Sequence, residues 1–150
     1  MKYKDKLESA IAAATKANNN KDEISNVIKE LSMSIEEFSN GNATLTIASQ
    51  YRKKINSFPT ALASAAEYLA GLQNETYQAI LLQDTSGKII YELAEWRVPK
   101  EGYPVNISYG KRDIYCSNRA ELEEALANII GSVTTGDYLL KIMNNHHSAS

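Results

Sequence analysis

Of the nine acidic residues in the second half of the chain, Asp84, Glu92, Glu95 and Asp113 fall on or beside its expected strands and turns. Converging carboxylates can divide general acid and base work or hold a divalent metal. Glu92 and Glu95 are three residues apart on an expected strand, so a regular pleat sends them to opposite faces. They meet on one side only if a β-bulge intervenes. A nuclease of the restriction type would need Glu-x-Lys at this place, and the strand reads Glu92-Leu93-Ala94-Glu95-Trp96-Arg97 instead. A solvated strand face is the simpler reading of these acids.

Cys116 is the single cysteine, and it offers the only thiol nucleophile. It precedes an expected helix N-terminus, where oriented amides can lower a thiol pKa. The only two histidines, His146 and His147, lie in the tail and leave the body without an imidazole base. Ser-His-Asp and Cys-His catalysis, HExxH zinc sites and two-histidine iron sites therefore fall away. A free cysteine without a base reads as a small apolar side chain. One thiol makes neither a disulfide nor a CxxC clip. No GxxxxGK[ST] or GxGxxG loop is present, and each glycine lies beside a turn or a helix end. The expectation is a non-enzymatic protein that uses no cofactor and no metal.

Aromatic side chains carry more information. Nine Tyr stand against two Phe and one Trp, and Tyr91, Trp96, Tyr103, Tyr109 and Tyr115 crowd into one stretch. Arg97, Lys100, Lys111 and Arg112 interleave with them. Tyr, Trp and Arg are typical anchors of protein interfaces. We take Tyr91, Trp96, Arg97, Tyr103, Tyr109, Lys111, Arg112 and Tyr115 as the candidate partner-binding set. The loop from Glu95 to Pro104 is stiffened by two prolines and would present part of it. The plain alternative is an amphipathic sheet that buries the rings and leaves the hydroxyls at its edge.

A second reading stacks nucleobases on these rings and sets Arg52, Lys53, Lys54, Lys111 and Arg112 on phosphates. The charge balance disfavours it: 16 basic against 18 acidic residues gives a net charge of −2, whereas duplex binders carry a basic excess. A third reading, an enzyme working with carboxylates or tyrosine alone, needs a pocket holding at least two of Asp84, Glu92, Glu95 and Asp113.

The elements that position these residues follow from periodicity. The chain of 150 residues reads as one domain. Leu7, Ala10, Ile11 and Ala14 mark a short helix from Lys4 to about Ala17. Asn18-Asn19-Asn20 reads as a break, and Asn20 with Glu23 as a new cap. Ile24, Val27, Ile28, Leu31, Ile35 and Phe38 form a second apolar stripe that Asn40-Gly41 ends. Ala43 to Ala48 alternates as a strand, with Leu45 and Ile47 on one face. Gln50 to Asn56 is a basic connector or the start of a helix. Ser57 caps a helix that runs to Gly71.

Tyr77–Gln83 and Lys88–Trp96 flank an Asp84–Gly87 turn. Pro104–Tyr109 and a short strand through Cys116 follow. Asn118 with Glu121 caps a helix ending at Gly131, and a last helix spans about 136–143. The expected fold is α+β: an antiparallel β-meander of about four to five strands packed against amphipathic helices at both ends of the chain. Residues 1–40 form its helical part, 41–143 a mixed body and 144–150 a frayed tail. No apolar run approaches a membrane span and no leader pattern is present, so the expectation is a cytoplasmic protein with a protein partner. It would occlude that partner as immunity proteins, antitoxins and inhibitors do. An exposed strand or the N-terminal helices would serve if two copies pair.

Overall fold

A computed structural model describes residues 2–53 and 74–148. The helix expected over 57–71 lies outside the described residues. Helix α1, Lys2–Phe38, is one uninterrupted rod of about 55 Å. The asparagine run does not break it. Asn20 Nδ2 donates to the carbonyl of Glu101 at 3.1 Å, and the Tyr103 hydroxyl donates to Glu23 Oε1 at 2.6 Å. Asparagine costs helix propensity, and here this run meets the loop around Gly102, where tertiary contact decides. Gly102 sits at φ +93, and a Cβ there would lie 2.6 Å from Cβ of Asn20. Only glycine lets this loop come so close to α1.

Ile24, Val27 and Ile35 of α1 are buried, whereas Phe38, expected in the same stripe, is exposed. The helix stops where Asn40 and Gly41 take positive φ and Gly41 N–H bonds to the carbonyl of Glu36 at 2.8 Å. Among the described residues five antiparallel strands follow in a meander: β1 Ala43–Lys53, β2 Asn74–Asp84, β3 Ile90–Arg97, β4 Val105–Tyr109 and β5 Arg112–Cys116. Strand β1 is longer than its alternating stretch and takes in Arg52 and Lys53, where the sequence suggests a basic connector or the start of a helix. Helices α2, Arg119–Ile130, and α3, Val133–Ser148, complete the α+β fold among the described residues. Asn118 caps α2 and accepts from Glu121 N–H at 2.9 Å. Helix α3 extends beyond the expected 136–143 at both ends, so residues 144–148 are helical rather than frayed.

The main core cluster lies on one face of the sheet, while Ala79 and Leu81 of β2 are buried on the other. Ile80 and Leu82 of β2, Ala94 and Trp96 of β3, and Val105 and Ile107 of β4 are buried on the core face against α1, α2 and Ile142 of α3. Leu122, Ala125, Leu126 and Ile129 form the buried stripe of α2. Asp84 is buried in the β2–β3 turn, where its carboxylate accepts from Ile89 N–H at 3.0 Å and from the Ser86 hydroxyl. No described helix is long and apolar enough to cross a membrane.

Candidate functional site

The aromatic–basic set divides between core and surface. Trp96 is buried. Tyr91 stacks on Tyr138 of α3 with ring centroids 4.1 Å apart. Tyr109 is partly buried against the core, and Tyr103 is held on α1 by Glu23. These four rings follow the simple reading of an amphipathic sheet. Arg97, Lys111, Arg112 and Tyr115 are exposed. Arg97 and Tyr115 flank Asn106 across β3, β4 and β5 on the outer face. Lys111 and Arg112 sit at the opposite end of the β4–β5 hairpin, so the cations do not converge.

The carboxylates follow a different rule from the one the spacing implied. The β2–β3 register shifts after Ile80, pairing Ile80 with Ala94 and Leu81 with Glu92. The extra residue on β3 is a bulge, and it brings Glu92 and Glu95 to the same outer face. There the Tyr77 hydroxyl donates to Glu92 Oε1 at 2.7 Å. Arg52 pairs with Glu95, and also with Glu75 at 3.3 Å. Its guanidinium lies 4.6 Å from the Tyr77 ring centroid. The Glu92 carboxylate, above all, pushes the Tyr77 pKa up. On the next strands Asp113 accepts from Ser108 at 2.6 Å and Asn106 at 2.7 Å, and these bonds pull its pKa down.

A cavity of about 470 Å³ opens beside this network, lined by Glu75, Tyr77, Glu95, Arg97 and Asn106 among others. Of the four carboxylates singled out in the sequence, Glu95 alone lines it. Among the described residues no group of three His, Cys, Asp or Glu is placed to hold a metal. Cys116 is buried, and burial pushes its thiol pKa up rather than down. The helix N-terminus beside it is occupied by the Asn118–Glu121 cap instead.

Compared with protein-family models, curated proteins and solved structures, the chain gives no match.

The surface the sequence reading missed lies at the start of α1. Every residue from 2 to 16 is exposed, over about 22 Å of helix. The Leu7, Ala10, Ile11, Ala14 stripe, whose spacing marks a short helix, is exposed throughout. Tyr3 is 75%, Leu7 64% and Ile11 68% exposed. At spacings of four these three share one face. Lys2, Lys4, Lys6 and Lys16 outnumber Asp5 and Glu8 on this arm. The signal for it was the stripe itself; what periodicity does not reveal is whether a partner surface exists within the chain.

Proposed function

We propose that the protein is a non-enzymatic binding module that occludes a protein partner, in the manner of immunity proteins, antitoxins and inhibitors. The observation that carries this reading is the apolar face of Tyr3, Leu7 and Ile11 standing free on a long helix. An amphipathic helix with anchors at this spacing lays into an apolar groove of a partner. The lysine excess around it fits a groove with an acidic rim, and a charged rim chiefly sets the association rate and its salt dependence. Against the nucleic-acid alternative, one of its cations, Arg52, is already engaged by Glu75 and Glu95.

The test is purification of tagged protein from its native cells, beside a Tyr3→Ser/Leu7→Ser/Ile11→Ser variant. These side chains are exposed, so the variant keeps the wild-type fold, which circular dichroism checks. The expected result is a stoichiometric protein partner that elutes with the wild type and is lost from the variant. A partner retained equally by both, or co-purifying nucleic acid released by salt, would overturn the proposal.

A further inference from the structure

Strand β1 is an edge of the sheet, and α1 covers only part of it. The outward backbone groups of Ala43 are both met by Ser39 Oγ, which accepts the N–H at 2.9 Å and donates to the carbonyl at 3.3 Å. Those of Leu45 are met the same way by Ser32 Oγ, at 3.4 Å and 2.9 Å. Two serine hydroxyls thus stand in for a neighbouring strand. By the alternation of an antiparallel ladder, the next outward positions are Ile47, Ser49 and Tyr51. Among the described residues nothing meets their outward N–H and C=O groups. Unpaired edge groups of this kind are a template for another strand.

A groove of about 550 Å³ lies beside this free edge, between α1 and β1. Ile24, Ile28, Leu45, Ile47, Trp96 and Val98 give it an apolar lining. Tyr51 is on the same face as Leu45 and Ile47, two pleats further on, yet it is 69% exposed. The chain therefore carries both an apolar groove and an exposed ring on one strand edge.

We propose that a second copy of this chain occupies the edge, its β1 running antiparallel to the first about a two-fold axis at Ser49. Only this register uses all three free positions of both copies: one shifted toward Leu45 meets the Ser32 block. Ser49 faces Ser49 of the second copy, and Ile47 faces its Tyr51. About six backbone hydrogen bonds form. Each Tyr51 lies over the other copy's groove against Ile47, an aromatic–β-branched cross-strand pair. On the outer face Ala48 lies opposite Gln50 and Thr46 opposite Arg52, so no like charges meet on that face. The net charge of −2 sets little repulsion between copies. Three paired positions on each copy make a small contact beside the roughly 800 Å² per partner of a standard interface, so the dimer is reversible and concentration-dependent. It uses neither Tyr3, Leu7 nor Ile11, and stands or falls apart from the partner proposed above.

Two measurements on the full chain test it. Sedimentation velocity over a concentration series should show the mass rising from 16.6 kDa toward twice that. Tyr51→Ala should weaken self-association by about tenfold or more with an unchanged circular dichroism spectrum. The register is tested by mixing Ala48→Cys and Gln50→Cys proteins under mild oxidation. Those positions form a non-hydrogen-bonded pair with Cα atoms about 4.5 Å apart, within disulfide reach. The mixture should cross-link strongly and each variant alone weakly; the native Cys116 is buried. A monomer at every concentration would overturn the proposal. So would a dimer insensitive to Tyr51→Ala, or one whose mixture cross-links no better than the separate variants.

Discussion

Tyr103 shows how one side chain from the candidate set works for the fold. Its hydroxyl donates to Glu23 Oε1 at 2.6 Å, tying the loop before β4 to α1. Burial, then the Glu23 carboxylate, pushes the Tyr103 pKa well above its ordinary value of 10.0. The folded state therefore holds this proton to higher pH than the unfolded state does. The associated stability is complete below about pH 10 and is lost as pH rises beyond it. Tyr103→Phe should cost about 1 kcal/mol at pH 7, read by urea unfolding. The gap between wild type and variant should shrink at pH 10.5 and above. A gap that stays constant with pH would mean that the hydroxyl is not buried against Glu23. The same logic of partners separates the cations: Arg52 and Arg119 are committed to carboxylates, whereas Lys111 and Arg112 project at the turn end of the β4–β5 hairpin.

At the scale of elements, the long helix tests how far local signals reach. Asn18, Asn19 and Asn20 are poor helix formers, yet α1 passes through them. Asn18 and Asn19 are exposed, so replacing Asn19 by Ala removes an unfavourable propensity and no contact. The expected gain is about 0.5 kcal/mol, with slightly stronger ellipticity at 222 nm. A loss of stability instead would show that Asn19 caps or turns the chain there. The α+β class, the meander, the Asn40-Gly41 stop and the Asn118 cap were all legible, because each rests on local periodicity or capping chemistry. The continuity of α1 was not, since it depends on Glu101, Gly102 and Tyr103, some 80 residues away. The bulge that reunites Glu92 and Glu95 was also hidden, because a register shift belongs to a pair of strands and not to either alone. The roles of Ser32 and Ser39 are hidden in the sequence for the same reason. A serine that completes a strand edge looks, in sequence, like any serine on a polar helix face.

For the whole molecule, the decisive asymmetry lies along α1. Its buried residues begin at Ile24, and the loop contacts begin at Asn20. The first turns therefore add helix but no core, and apolar burial is the main source of stability. A protein lacking residues 2–16 should unfold cooperatively with a midpoint within a few degrees of the full chain, about 1 kcal/mol or less. The same truncation removes Tyr3, Leu7 and Ile11 and leaves the edge from Ile47 to Tyr51 intact. It should abolish capture of a protein partner while the concentration dependence of sedimentation is unchanged. A large fall in the midpoint would show that the arm supports the core, and the free stripe would then lose its claim to be a docking face. Loss of self-association on truncation would instead place the contact between copies on α1 and remove it from β1. The two surfaces lie on different elements and draw on different physics, apolar burial on a helix and backbone pairing on a strand. One deletion therefore separates them.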